Sequence, residues 1–279
     1  MLSIMEKRFR KYKRKASDQH MSEESVYIVT GASRGLGEAI AARLLAPGNR
    51  VLCVARTRNE ALAGKAEAAG ARCDWFERDL AALAAANGAD AFMRELLAGV
   101  DLAALRRIRL INNAGVVEPV GAAHENEPAD VGRHLAVNLT APMTLTAAFL
   151  RQTEALAADK RIMHISSGAG RNPYAGWSAY CAAKAGLDHF TRCVALEQAA
   201  LPNGAKVASV APGVVDTAMQ AVVRATAPER FPNRERFVKL YETGGLTPPA
   251  EAAERLVAYL EHAAFGEEPV ADIREWKAE

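Results

Sequence analysis

Val26-Tyr27-Ile28-Val29-Thr30-Gly31-Ala32-Ser33-Arg34-Gly35-Leu36-Gly37 is the stretch on which the reading of this chain turns. Its opening apolar run, rich in β-branched side chains, suits a strand covered on both faces. A glycine-rich turn follows directly. The residues beyond it read as a helix through about Ala46, stopped by the breaker pair Pro47-Gly48. A strand that feeds a helix through glycines gathers backbone N–H groups and the positive end of a helix dipole at one point. That arrangement is suited to a pyrophosphate. The spacing is GxxxGxG over Gly31, Gly35 and Gly37, not the GxGxxG of the common dinucleotide fingerprint.

Outward from this stretch the pattern repeats. Arg50-Val51-Leu52-Cys53-Val54 is a second apolar run, and Asn59 then caps an Ala-rich helix that Gly70 ends. Further strand candidates are Asp74-Trp75-Phe76, Arg109-Leu110-Ile111, Ile162-Met163-His164-Ile165, Val207-Ala208-Ser209-Val210 and Val270-Ala271-Asp272-Ile273. Short, continuously apolar strands separated by helices predict an α/β fold. The expectation is a single-domain, Rossmann-type, doubly wound parallel sheet of about seven strands with helices on both faces. Residues 23–279 form that domain on this reading. The stretch 221–247 reads as its least regular part and as a lid over a site. Thr247 and Pro248 then read as the cap and first turn of a closing helix.

Composition narrows the class. With 279 residues, half of them apolar, the chain can bury a sizeable core. No apolar run is long enough to cross a bilayer. Cys53, Cys73, Cys181 and Cys193 show no CxxC pair, so they read as reduced thiols of a cytoplasmic protein. The histidines His124, His134, His164, His189 and His262 show no ligand spacing, so no metal is expected and they read as structural or surface residues. Residues 1–20 hold seven lysines and arginines against two acids, which leaves the body mildly acidic despite a net charge of +2. Residues 1–22 read as a disordered basic extension, Met21 being a possible start of its own. Binding of nucleic acid or an anionic membrane and a transit peptide are the other readings, but no basic patch continues into the body. Neither nucleic acid nor membrane is therefore expected as a partner.

Two further features point to chemistry. The second strand ends Val54-Ala55-Arg56-Thr57-Arg58, with no carboxylate to accept a ribose 2′-hydroxyl. Arg56 and Arg34 could instead clasp a 2′-phosphate, which favours NADP(H) over NAD, although solvated surface arginines would look the same. Asp79-Leu80, placed at the close of the third strand, is a candidate adenine contact. Tyr180 and Lys184 lie four apart, on one face of a helix. A neighbouring ammonium lowers the tyrosine pKa, which makes the phenol usable in proton transfer. Ser167 follows the Ile162–Ile165 strand, where its hydroxyl could bond a carbonyl oxygen. Cys181 adjoins Tyr180 but points off its face.

Taken with Asn112-Asn113-Ala114-Gly115, Asn138 in Val137-Asn138-Leu139, and Pro212-Gly213, these motifs resemble the short-chain dehydrogenase/reductase family in type, order and spacing. The likeness runs from about Ser25 to the C-terminus. It implies a tetrad in which Asn138 holds a relay water, Ser167 orients the carbonyl and Tyr180 protonates the forming alkoxide. Lys184 lowers the tyrosine pKa and binds the nicotinamide ribose. It also implies cofactor contacts at Gly31, Ser33, Arg34, Gly35, Leu36, Gly37, Arg56, Thr57, Asp79 and Leu80, at Asn113, Ala114 and Gly115, and at Pro212, Gly213, Val215, Thr217 and Met219. A homodimer or homotetramer is implied too, built through the helices that bear Asn138 and Tyr180.

A narrower likeness joins Gly176–Ala185 and Ala211–Gln220 to the sepiapterin reductase branch and to the bacterial benzil reductases similar to it. In that branch a C-terminal aspartate anchors a pterin. Asp272 is the nearest match here, after a one-residue shift, and a solvated aspartate at a strand end is the equal alternative. Trp177, Gly213, Met219 and the 221–247 stretch would line an apolar pocket for a diketone, Trp177 being equally suited to core packing. The expected activity is NADPH-dependent reduction of a small carbonyl substrate, a ketone or vicinal dicarbonyl. An NADP-linked alcohol dehydrogenase and a non-catalytic dinucleotide sensor are the alternatives.

Overall fold

The computed structural model describes residues 24–277; the basic extension read over residues 1–22 lies outside them. Seven parallel strands form one sheet in the order β3-β2-β1-β4-β5-β6-β7. They are β1 (Glu24–Thr30), β2 (Asn49–Ala55), β3 (Arg72–Glu77), β4 (Leu105–Asn112), β5 (Asp159–Ile165), β6 (Lys206–Ala211) and β7 (Val270–Asp272). Side chains alternate across a strand, so β1 sends Tyr27 and Val29 to one layer and Val26 and Ile28 to the other. The first layer is closed by α1 (Gly35–Leu44) and α10 (Pro249–Glu261), through Ile40, Leu44, Leu256 and Leu260. On the other face α4 (Ala89–Leu97), α6 (Ala141–Thr153) and α7 (Ser178–Ala199) pack Phe92, Leu96, Leu145, Phe149 and Val194. Among the described residues no helix is long and apolar enough to cross a membrane.

Local signals are met where the chain's own neighbours decide them. Asn59 caps α2 (Glu60–Ala68), its side chain accepting from Leu62 N–H at 3.0 Å. Several boundaries differ from expectation. β4 begins at Leu105, well before Arg109, because charged residues interrupt its apolar pattern. Arg109 is nevertheless fully buried: Glu261, at the end of α10, takes its guanidinium in two 3.0 Å bonds, and Asp159 takes it at 2.7 Å. Asp79 does not close the third strand, which ends at Glu77. It caps α3 (Leu80–Ala85), accepting from Ala81 N–H at 2.9 Å. α1 stops at Leu44, two residues before the predicted end.

The stretch 221–247 is more regular than its sequence suggests. It contains the end of α8 (Ala218–Ala225) and all of α9 (Arg234–Glu242). Proline breaks between the two helices and the mainly polar composition of α9 hide its periodicity, since Phe237 is its one buried residue. Thr247 is not the cap of the closing helix. It bridges to Val215, and Pro248 takes the cap position of α10.

Candidate active site

β1 and β4 are neighbours in the sheet, yet their following connections leave on opposite faces. Such a switch point opens a crevice beyond the strand ends. A cleft of about 1180 Å³ lies there, with the glycine turn at one end and α8 and α9 at the other.

At the turn, Gly31 and Gly35 hold φ of +69° and +59°, a left-handed conformation that favours glycine. Gly37 has a different reason. A Cβ on it would stand 2.8 Å from the carbonyl carbon of Gly31 and overlap Gly31 O and Asn113 Nδ2. The glycines therefore let the turn, α1 and the end of β4 pack together, in addition to clearing space for a ligand. Asn113 ties β4 to β1: its Nδ2 donates to Thr30 O at 3.0 Å, while Asn113 N–H and Ala114 N–H donate to Thr30 Oγ1. No side chain caps the N-terminus of α1, so its leading N–H groups remain free to meet an anion.

Gly31, Ser33, Arg34, Gly35, Leu36 and Gly37 line the cleft, with Arg56, Asp79, Leu80, Asn113, Ala114 and Gly115 beside them. Pro212, Gly213, Val215, Thr217 and Met219 line it from the other side. Arg34 and Arg56 are exposed, and among the described residues neither is paired to a carboxylate. Thr57 is exposed and stands outside the lining. These residues suit a dinucleotide, with uncapped N–H groups for its diphosphate and two cations that meet no carboxylate among the described residues.

α7 presents Tyr180 and Lys184 on one face, both buried and both lining the cleft. The Tyr180 hydroxyl bonds Ser167, which also caps the short 3₁₀ turn Gly168–Gly170 by accepting from Ala169 N–H. Lys184 Nζ donates to Ile165 O at 2.8 Å and lies 5.8 Å from the Tyr180 ring centre. The expected lowering of the tyrosine pKa is reversed: burial pushes it up to about 12, and the Ser167 hydrogen bond opposes only part of the rise. Burial also pulls Lys184 down to about 8, against the pull of Asp188. Asp188 is buried one turn further along α7, with one oxygen accepting from Ser166 Oγ and Ser209 Oγ at 2.5 and 2.6 Å.

Asn138 sits just behind the cleft wall, in a π-helical turn, Ala136–Thr140, that joins α5 (Pro128–Leu135) to α6. Such turns often accompany functional positions. Its Oδ1 accepts from Val116 N–H at 3.1 Å, and its Nδ2 donates to Val116 O at 2.9 Å. His134 is the residue the sequence reading passed over. It is fully buried, lines the cleft, and sets its ring edge-on to Tyr180 at 5.9 Å. Its Nδ1 lies 2.7 Å from Glu118 O and its Nε2 3.1 Å from Asn138 Nδ2. Burial, with Lys184 nearby, holds its pKa below the ordinary histidine value. Nδ1–H therefore donates to the carbonyl, and Nε2 accepts from the amide. The available signal was its place four residues before Asn138 on one helix.

The far end of the cleft is apolar. Trp177 stacks on Phe231 at 4.5 Å and meets Phe237 and Tyr180 at 5.4 and 5.3 Å. Val117, Val120 and Val223 complete this cluster. Asp272 is not the solvated strand-end residue of the alternative reading, being only 5% exposed, and it does not line the cleft. Arg274 grips its two oxygens at 2.8 and 2.7 Å, and Arg171 reaches it at 3.5 Å. These arginines hold its carboxyl below the usual carboxylate range.

The family model for short chain dehydrogenases matches residues 25–228. Benzil reductase ((S)-benzoin forming) of Bacillus cereus is 40% identical over 248 residues, 89% of this chain and 98% of its own. Sepiapterin reductase of Mus musculus is 36% identical over 254 residues, 86% of this chain and 93% of its own. Among solved structures, the KRED1-Pglu enzyme matches with a TM-score of 0.70 at 32% identity, over 85% of this chain and 94% of its own. A metagenomic short-chain oxidoreductase in complex with NADP matches with a TM-score of 0.67 at 29% identity, over 90% of this chain and 96% of its own.

Proposed function

The chain belongs to the short-chain dehydrogenase/reductase family, and within it we propose that it is an NADPH-dependent reductase of small ketones and vicinal dicarbonyls, with Tyr180 as the proton donor. The observation that carries this reading is a buried phenol at the junction of two environments. Tyr180 lies between the dinucleotide end of the cleft and the apolar pocket of Trp177, Phe231, Phe237 and Val223.

When bound, NADPH supplies the hydride. Ser167 and Tyr180 share the carbonyl oxygen, Ser167 by hydrogen bonding it and Tyr180 by donating its proton as charge develops there. A tyrosine held near pKa 12 is protonated at neutral pH, so it holds the proton that reduction requires. The Lys184 ammonium steadies the phenolate left behind. Asn138 and His134 fix the wall behind Tyr180. The uncapped N–H groups of α1 suit the diphosphate that both cofactors carry, and Arg34 and Arg56, with no carboxylate partner among the described residues, support NADPH over NADH, because a guanidinium pairs with a 2′-phosphate that NADH lacks. The relative named for benzil, forming (S)-benzoin, supports a vicinal dicarbonyl reduced at one carbonyl, and the relative named for sepiapterin supports a small ketone. The α8–α9 segment acts as the lid. Assembly is through α6 and α7 as a dimer or tetramer, consistent with Leu196 of α7 being 76% exposed.

The test follows NADPH absorbance against benzil, 1-phenyl-1,2-propanedione and sepiapterin. Turnover of a diketone is expected, and Tyr180→Phe should abolish most of it while NADPH binding survives. Undiminished turnover in that variant, or none in the parent across the panel, defeats the proposal.

A further inference from the structure

The mouth of the apolar pocket carries cations that the reaction does not use. Arg236, near the start of α9, lines the cleft, and its Nη1 donates to Tyr174 Oη at 3.1 Å. Among the described residues no carboxylate lies within ion-pair distance of it. Arg274 lines the same cleft, its Cδ 3.4 Å from where a Cβ on Gly213 would stand. Its guanidinium is pre-oriented by Asp272, a side chain only 4% exposed, and Tyr174 lines the cleft with it. Arg171 adds a second cation to that one carboxylate. Arg274 and Arg171 thus share the one carboxylate of Asp272, the exposed Glu275 acts on Arg274, and Arg236 adds a third guanidinium on the cleft wall, a positive surplus on a body that is net acidic.

The arrangement also changes the meaning of Asp272. A free carboxylate there would accept the paired N–H edge of a pterin. Here a guanidinium of the chain itself already fills both oxygens, so the surface offered to a ligand is the cation. A buried acid that holds an arginine at a pocket wall pre-pays the ordering that anion binding would otherwise cost.

We infer that Arg236 and Arg274, with Tyr174, form an anion subsite at the pocket mouth, and that the substrates are aromatic ketones bearing a carboxylate or comparable anion. The inference rests on the reductase reading and specifies its substrate class. Two ring-to-ring steps, 5.3 Å from Tyr180 to Trp177 and 5.4 Å from Trp177 to Tyr174, separate the proton donor from the subsite. The anion therefore stands on the far side of the Trp177 ring from the proton donor, at most about 11 Å between ring centres. A carboxylated aryl diketone can hold its anion apart from the reacting carbonyl, whereas a 2-oxo acid, with adjacent groups, cannot.

The experiment compares kcat/KM for benzil-4-carboxylate with that of its methyl ester, with unsubstituted benzil alongside. Calorimetric affinities for the same compounds read the subsite even where turnover is slow. A preference for the carboxylate on the order of tenfold or more is expected at low salt, declining as ionic strength rises. Arg236→Ala should bring the carboxylate-to-ester ratio near one, and Arg236→Glu should invert it. Arg274→Gln should lower the ratio and relax the salt dependence. Benzil reduced with a ratio near one in the parent overturns the subsite and leaves the reductase reading intact. Sepiapterin binding that strengthens in Arg274→Gln overturns it in favour of Asp272 as a pterin anchor. With no turnover of any diketone the reductase reading fails, and equal affinities for acid and ester then overturn the subsite too.

Discussion

Gly37→Ala sets two physical effects against each other, and the structure decides which wins. Gly37 lies in α1, where alanine is favoured over glycine by about 1 kcal/mol on helix propensity. The new Cβ, however, would stand 2.8 Å from the Gly31 carbonyl carbon and overlap Gly31 O and Asn113 Nδ2. Neither neighbour is the loose end of a side chain. Gly31 N–H donates to Val54 O at 2.7 Å, and Asn113 Nδ2 donates to Thr30 O at 3.0 Å. Relief must come from moving α1 away from the turn, and overpacking of this kind costs roughly 1–3 kcal/mol or more. Sterics should therefore outweigh propensity, lowering Tm by several degrees at about 2–4 °C per kcal/mol for a domain of this size. Gly64→Ala is the matched control: it lies within α2, and a Cβ there meets nothing within 4 Å. That variant should melt higher, by about 2–4 °C on propensity alone. Thermal melts of both proteins, with NADPH titrations by its fluorescence, make the comparison. NADPH affinity should fall at least tenfold in Gly37→Ala and stay unchanged in Gly64→Ala. If Gly37→Ala melts as high as the control and binds NADPH as the parent does, the account of the turn is wrong.

Three other outcomes are expected. Arg56→Glu should weaken NADPH on the order of tenfold, solvent screening limiting the effect, and barely alter NADH; equal losses would remove Arg56 from the 2′-phosphate. His134→Phe keeps a ring against Tyr180 but loses the acceptor for Asn138, so kcat should fall roughly tenfold, the worth of one hydrogen bond, while NADPH affinity holds; an unchanged kcat would show that the contact does nothing. His164 is fully buried, and burial with Lys184 nearby pulls its pKa to about 3. The unfolded chain takes up that proton near pH 6.5 and the folded chain does not. Stability is therefore complete above about pH 6.5 and falls toward pH 3, by about 2 kcal/mol at pH 5. Urea unfolding at pH 7 and pH 5 should show this drop in the parent and a smaller one in His164→Gln; equal drops would clear His164.

What the sequence by itself determined was local. A strand, glycine turn and helix can be read at residues 26–46 because residues within a few positions supply the strand pattern, the turn and the helix stop. Asn59 as a cap and the Tyr180–Lys184 face were legible for the same reason, since capping bonds and helix faces span three or four residues. Alternation of such units was enough to give the parallel sheet; the cleft at its switch point came from the strand order. Tertiary structure decided whatever depends on partners far along the chain. Arg109 lies in the core only because Asp159 and Glu261, 50 and 152 residues away, neutralise it there. Asp272 gains its second cation because Arg171 comes from the loop after β5, whereas Arg274, which fills both its oxygens, lies only two residues along. The direction of the Tyr180 shift follows likewise from desolvation, which sums over elements packed from several parts of the chain. A four-residue spacing reports one neighbouring charge but not how much water the fold removes.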